Sequence, residues 1–289
     1  MTSPLNAAPD LYATLRAMAS GTDATLPQMI AVCDAPAQTR LRALDQGLLA
    51  AILRKMRTGQ AVATAPAIRT WLAAQRFAQM FEPGIASGAS IALLTAGQRP
   101  DMPAFSDRAF DAWFTAQGVP YGLGAYGEDR RVYASDQFAD AGGPERRTVH
   151  TGIDVFAPAM TPVHAPLPGR VLHVRYNVDQ LDYGHTLIVQ HDADGPAFYT
   201  LYGHLAGTLP ELLQPGDLVA AGQLICHLGD WHENGGWAPH LHFQMMTDML
   251  GRTDGNFVGA GHAGLWDVWS DICIDPDLVM RLGAARFRV

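Results

Sequence analysis

The stretch "APHLHFQM", residues 238–245, sets two imidazoles one residue apart, His240 and His242, inside an apolar run. Side chains two residues apart on a strand point to the same face, so an extended reading projects His240 and His242 together and turns Leu241 and Phe243 to the other side. A strand here implies a sheet with an apolar face and a histidine-bearing face.

The neighbouring sequence supports strands. From residue 148 onward, short β-branched and apolar runs such as "IDVFAP" (153–158), "GRVLHVRY" (169–176), "HTLIVQHD" (185–192) and "AFYTLYGHL" (197–205) are punctuated by Gly, Pro and Asp. About six such runs predict an antiparallel β sandwich or barrel. Upstream, apolar residues recur every three or four positions in "AQTRLRALDQGLLAAILRKMR" (37–57) and "APAIRTWLAAQRFAQMF" (65–81), which predicts helices, about four of them before Gly118. Pro66 suits a first helical turn, and Pro83-Gly84 is expected to close that helix. Residues 119–148, rich in Gly, Asp and Arg and without sustained period, read as a connecting segment with at most short strands. The tail reads as loop up to "DPDLVMRLG" (275–283), where Asp275 can cap a short helix with Pro276 at its first position. The expected organisation is therefore α+β: a helical region 1–118, a connector 119–148, a β domain 149–250 and an extension 251–289.

Composition narrows the chemistry. The 289 residues are 48% hydrophobic, enough for a sizeable core, and 20 Lys+Arg against 28 Asp+Glu leave a net charge of −8. With no cationic run to neutralise phosphates, nucleic acid is not an expected partner. Three scattered cysteines, Cys33, Cys226 and Cys273, make neither a disulfide framework nor a thiolate zinc cluster. No apolar run reaches the roughly 18 residues of a membrane span, and residues 1–21 lack the charged start and apolar core of an export signal, so a cytoplasmic protein without a membrane partner is expected.

A second pair of metal-type side chains occurs in "HTGID", where His150 and Asp154 share a face if the segment is extended. Each motif alone is weak, but together they supply three histidines and a carboxylate, from which two histidines and the aspartate can be drawn. That is the donor set of a catalytic zinc, which keeps three protein ligands and leaves a position for water. His204, at the end of "FYTLYGHL" (198–205), is a further candidate, although a lone strand histidine is more often a packed residue.

Four segments, "HTGIDVFAPAMTPVHAPLPGRV", "YTLYGHL", "LQPGDLVAAGQLICHLGD" and "PHLHF", resemble in order the signature segments of lysostaphin-type (LytM-like) zinc metallopeptidases, over about residues 148–247. The resemblance implies a compact antiparallel β domain with one Zn2+ at the floor of a groove. It implies His150, Asp154 and His242 as zinc ligands, and His204 and His240 as catalytic histidines outside the metal's shell. The implied activity is that of a zinc metalloendopeptidase, hydrolysing a peptide or amide bond through a metal-activated water, on a peptide, a peptidoglycan fragment or a small amide. A non-catalytic LytM-like domain that binds a peptide or regulates a partner, and a cytosolic small-molecule amide hydrolase, are the alternatives.

Two departures from the family pattern stand out: Trp237, brought close to the site by "ENGGWAPHLHF", and Met160, where the family usually has a turn glycine. The segment "YGEDRRVYASDQFADAGGPERRTVHTGIDVFAP" (126–158) is also similar to peptidase modules of large cytosolic fusions with kinase-like and aminotransferase domains. Tyr202 is excluded from the catalytic set as a packing residue. His164, His173, His185, His191, His227, His232 and His262 are read as structural or exposed, with His232 the one nearest the expected cleft.

Overall fold

The computed structural model describes residues 3–8, 10–95, 99–130, 138–140 and 146–288. Six α-helices, α1 (Leu11–Ala19), α2 (Leu26–Ala31), α3 (Ala35–Ala43), α4 (Gln46–Thr58), α5 (Ala65–Ala74) and α6 (Ala109–Ala116), precede residue 118 among the described residues. That exceeds the expected four because capping chemistry divides the periodic runs. Asp45 accepts from Leu48 N at 2.9 Å and so starts α4 in the middle of the 37–57 run. Likewise α5 ends at Ala74, well short of Pro83, since the next residues bond to the β portion: Ala78 N to Pro166 O and His164 N to Met80 O. Tertiary pairing outweighs local helical period there.

The strands are β1 (Ser90–Ala92), β2 (Tyr121–Gly124), β3 (Arg147–His150), β4 (Ile153–Phe156), β5 (Pro162–His164), β6 (Gly169–Asn177), β7 (Gly184–Asp192), β8 (Ala197–Leu205), β9 (Leu218–Val219), β10 (Leu224–His227), β11 (His240–Met246), β12 (Ala260–His262) and β13 (Cys273–Ile274). Helices α7 (Leu209–Leu212), α8 (Trp266–Ile272) and α9 (Asp277–Met280) fall among them. The architecture is α+β. Its main sheet has nine strands in the order β1-β2-β4-β11-β8-β7-β6-β9, with β13 also paired to β11. All its pairs are antiparallel except β1 with β2, and β5/β10 and β3/β12 form two small ribbons.

Thus residues 90–92, which carry no strand signal in the sequence, and residues 121–124, a short strand within the connecting segment, are part of the main sheet. Within the connecting segment, residues 131–137 and 141–145 lie outside the described residues. In the tail, "WDVWSDI" forms α8, and α9 begins one residue later than its sequence suggests, with Pro276 rather than Asp275 at the N-cap, Asp275 accepting from Asp277 N at 2.8 Å.

The sheet is buried on both sides, and the two sides differ. Leu241, Phe243 and Met245 of β11 join Ile153, Val155, Leu187, Val189 and Tyr202 in a core that also takes Ile68 and Leu72 of α5. On the opposite side Ile188, Leu201 and Met246 pack with Leu11 and Leu15 of α1, Leu48, Leu49 and Ile52 of α4, and Trp269 of α8. Each fully buried Leu, Ile or Phe contributes about 1.5–3 kcal/mol by transfer from water. Charge pairs fix the helices onto this side. Asp271, 5% exposed, accepts from Lys55 Nζ at 2.8 Å and from Ala61 N at 2.9 Å, and Arg16 grips Asp267 through two nitrogens at 2.7 and 2.9 Å. Helices α1 and α4 therefore cover the side of β11 that carries its histidines, while α5 lies on the other. Among the described residues no helix is long and apolar enough to cross a membrane.

The turn after β4 places Met160 at φ 65°, with its side chain 51% exposed. A left-handed conformation is costly for a residue with a Cβ and nearly free for glycine. Met160→Gly is therefore expected to stabilise the fold by about 0.5–1 kcal/mol, the strain relief exceeding the entropy of the freer unfolded chain. Thermal unfolding of the two proteins, compared under one set of conditions, checks this as an upward shift of about 1–4 °C.

Candidate active site

Register places the first two functional groups. In the β4/β11 pair His242 lies opposite Asp154 and His240 opposite Phe156. His150, at the end of β3, reaches the same point because the chain turns at Thr151-Gly152. Glycine is required at that turn, since a Cβ on residue 152 would lie 2.6 Å from His242 Cε1 and 2.7 Å from its Nε2. Three atoms converge: His150 Nε2 and His242 Nδ1 are 3.0 Å apart, His242 Nδ1 and Asp154 Oδ1 3.0 Å, and His150 Nε2 and Asp154 Oδ1 3.2 Å. All three residues are buried.

The outer nitrogens fix the tautomers. His150 Nδ1 is 2.9 Å from Ala125 O, and a carbonyl can only accept, so Nδ1 carries the proton and Nε2 keeps its lone pair. His242 Nε2 donates in the same way to Gln244 Oε1 at 2.8 Å. The orientation of that amide is set in turn, because Gln244 Nε2 must donate to Val258 O at 3.1 Å. Two imidazole lone pairs and a carboxylate oxygen thus face one point, an arrangement that repels itself unless a cation or a proton lies between them. For metal–ligand bonds of about 2.0–2.1 Å the edge of a tetrahedron is about 3.3–3.4 Å, only slightly wider than the spacing here. His150, Asp154 and His242 could hold a metal ion.

Arg130 completes the surroundings of this group. It is 2% exposed, donates from Nη1 to Asp154 Oδ2 at 2.7 Å and from Nε to Glu128 Oε2 at 3.0 Å, and leaves Oδ1 facing the two imidazoles. Glu128 Oε1 is anchored by Thr95 N at 2.6 Å and Thr95 Oγ1 at 3.0 Å. Burial opposes the ionisation of Asp154, but the Arg130 guanidinium, bonded to Oδ2, helps to outweigh it, and the carboxyl is held well below its usual range. Burial, with a smaller push from Arg130, lowers His150 to about 4.

His240 and His204 stand beside this group. His240 Nδ1 donates to Ala238 O at 2.7 Å, and its Nε2 lies 4.0 Å from Asp154 Oδ1. His204 Nδ1 donates to Asn234 O at 2.8 Å, and the two rings are 4.2 Å apart between centroids. His204 adopts φ 63°, an unusual backbone state for a residue with a side chain. Burial lowers His240 to about 4; burial and then the proximity of His240 put His204 well below its ordinary value. Both are neutral imidazoles whose Nε2 is left to accept.

All five expected site residues therefore come together. Asp154, His204, His240 and His242 line a cavity of about 430 Å³. Tyr183 and Trp237 line it too, Tyr183 with its ring 5.2 Å from that of His242 and Trp237 with its ring 6.2 Å from that of His204. Tyr202 is on the opposite side of the sheet, packed on Phe243 at 5.3 Å, as its exclusion requires. His232 is exposed and takes no part in the cavity lining. His262, read as structural or exposed, is a wall residue of the cavity and donates from Nε2 to Asp140 at 2.7 Å. Sequence reasoning missed Gln244, although its place two residues beyond His242 is itself a signal. Arg130 and Tyr183 carry no such signal, being remote in the chain from the motifs.

Two outcomes test this geometry. Gly152→Ala should displace the His242 ring and weaken divalent-metal affinity about 10–100-fold with the fold retained, as measured by competition with a chelator. The second concerns acid stability of the metal-free protein. His150, His240 and His191 are all lowered to about 4 by burial, the last outside the metal group. Between the unfolded pKa of about 6.5 and pH 4 the unfolded chain binds more protons than the native one, so stability rises with pH across this window. Lowering the pH from 6.5 to 4 should remove on the order of several kcal/mol, read as a falling midpoint in denaturant titrations.

No match is found among curated proteins. Among solved structures the chain is similar to a zinc-containing peptidase from Vibrio cholerae, at 28% identity over 42% of this chain and 30% of that one, with a TM-score of 0.30. It is also similar to the catalytic domain of the antimicrobial peptidase lysostaphin from Staphylococcus simulans, at 26% identity over 42% of this chain and 80% of that one, TM-score 0.29. For the larger lysostaphin structure the identity is 24%, over 48% of this chain and 45% of that one, TM-score 0.32. The alignment thus spans under half of the Vibrio peptidase and of the larger lysostaphin. Residues 148–256 match the family described as "Peptidase family M23", in keeping with the lysostaphin-type resemblance of the motifs.

Proposed function

We propose that the chain is a zinc-dependent hydrolase of a peptide or amide bond, with His150, Asp154 and His242 as zinc ligands and His204 and His240 as catalytic histidines. The observation that carries the reading is the triangle of three proton-free donor atoms 3.0–3.2 Å apart, with two neutral imidazoles beside it in one cavity. Two nitrogens and one carboxylate oxygen suit zinc, and each ligand is oriented by a further partner: Ala125 O, Gln244 and Arg130. Bound there, zinc would supply Lewis acidity, making a water acidic enough to attack near neutral pH and polarising the scissile carbonyl.

The chain's own groups do the rest. Arg130 occupies Asp154 Oδ2, so that the carboxylate offers a single oxygen and room is kept for water and substrate. His240 and His204, each committed at Nδ1 to a carbonyl, can take a proton only at Nε2 and then become donors there. Between them they hold the proton released by the attacking water, face the developing oxyanion as donors and return the proton to the leaving nitrogen. Phe156, stacked on His240 at 4.6 Å, and Trp237 keep the surroundings apolar, which strengthens these interactions. A cytoplasmic setting is part of the reading, in keeping with three cysteines too widely spaced to form a disulfide framework.

Purified protein supplemented with zinc should retain about one equivalent per chain, and less than a few tenths of an equivalent refutes the proposal. His240→Ala should keep the metal and lose hydrolysis by at least about 100-fold, whereas His242→Ala should lose both. Full turnover by His240→Ala removes that residue from the mechanism.

A further inference from the structure

Both imidazoles assigned to catalysis are held at Nδ1 by carbonyls of one loop, residues 229–238, and that loop is built around one side chain. Asn234 is fully buried, and its amide makes four hydrogen bonds. Its Oδ1 accepts from Gly236 N at 3.1 Å and Trp237 N at 3.0 Å, while Nδ2 donates to Gly229 O at 3.1 Å and Trp237 O at 2.9 Å. Backbone N–H groups can only donate and carbonyls only accept, so the amide has one orientation, with both lone pairs and both N–H bonds in use. An apolar side chain in its place would leave four backbone groups without that partner.

The amide closes a circuit around His204. Gly229 N donates to His204 O at 2.9 Å, His204 Nδ1 donates to Asn234 O at 2.8 Å, and Asn234 Nδ2 returns to Gly229 O. The backbone and ring of His204, whose φ of 63° needs support from its surroundings, are thus tied to one segment. On the other side Asn234 grips Trp237 at both N and O, and the next residue, Ala238, supplies the carbonyl that accepts from His240 Nδ1 at 2.7 Å. The loop is pressed on the turn before β7: Leu181 N donates to Gly235 O at 2.8 Å, and Gly235, at φ 88°, has no room for a Cβ beside Asp182 O.

A neutral imidazole carries its proton on whichever nitrogen its surroundings favour. Were the carbonyl of residue 234 or 238 to move away, the proton could pass to Nε2, and the lone pair needed there would be lost. We infer that Asn234 is a positioning residue for both histidines: its amide fixes the two carbonyls that keep the protons of His204 and His240 on Nδ1 and leave each Nε2 to accept. The inference rests on the proposed hydrolase reading for what the two rings do, and on these bonds alone for how they are held.

Zinc-supplemented wild-type, Asn234→Ala and Asn234→Asp proteins are compared, the aspartate keeping the acceptor oxygen and the size of the side chain while losing both donations. Heteronuclear NMR of the imidazole nitrogens reads the tautomer of each histidine, and turnover is measured on a peptide that the wild type cuts. Wild-type His204 and His240 should each show Nδ1–H alone. In the variants both rings should become mixtures with Nε2–H, zinc should be retained, and kcat should fall about 10–100-fold with KM within about threefold. Thr200→Val, which removes a buried hydrogen bond to His191 on the other side of the sheet, measures what lost stability alone does, and should leave both tautomers and kcat unchanged. If Asn234→Ala does not fold, Asn234→Asp decides; if neither folds, the amide serves stability and the inference is overturned. It is overturned equally by Nδ1–H alone at both rings in a folded Asn234 variant, by a kcat within about threefold of wild type, or by the same changes in Thr200→Val. Mixed tautomers in the variants of a protein whose wild type cuts no peptide leave the inference standing and refute the hydrolase reading instead.

Discussion

The site depends on the alternation of β11. This strand is central in the sheet and buried on both sides, so its odd and even positions must suit different surroundings: Leu241, Phe243 and Met245 one apolar core, His240 and His242 the polar cavity, with Gln244 behind it bonded to His242 and Val258 O. A slip of one residue against β4 would put three imidazole and amide groups into hydrocarbon and three apolar side chains against Asp154. That double penalty fixes the register, and the register places His242 opposite Asp154. The chemistry of the site is thus set by the same pairing that builds the core.

Around this point the charges are arranged in layers. Neutral imidazoles and one carboxylate face inward, carbonyl oxygens and the Gln244 amide hold the outer ring nitrogens, and Arg130 and Glu128 form a buried pair behind Asp154. Burying such groups unpaired would cost several kcal/mol each, whereas here nearly every hydrogen-bonding atom near the ligand triangle has a partner. The result is a stiff, preorganised site in which rings cannot turn without breaking a hydrogen bond.

Much of this was legible in the sequence because it follows from short-range rules. Period-two spacing alone put His240 with His242 and His150 with Asp154, and the order of four motifs placed His204 with them. What stayed hidden depends on contacts across long stretches of chain. Arg130 reaches Asp154 from 24 residues away, and the cavity wall at Tyr12 and Leu48 comes from helices whose own periodicity reports an apolar face without saying what it covers. The helices were recognisable as a class but not in number, since one aspartate side chain at position 45 outweighs the apolar repeat that runs through it. In the same way the sheet gained β1 from three residues, Ser90 to Ala92, too few to announce a strand.

The apolar layer shared by the N-terminal helices and the histidine side of the sheet limits how the gene could be cut. A fragment beginning near residue 148 would uncover Ile188, Leu201, Met246 and Trp269 together and would strand the carboxylate of Asp271 without Lys55 or Ala61 N. The segment that matches the M23 family is therefore no detachable cassette: the residues that precede it supply part of its own interior.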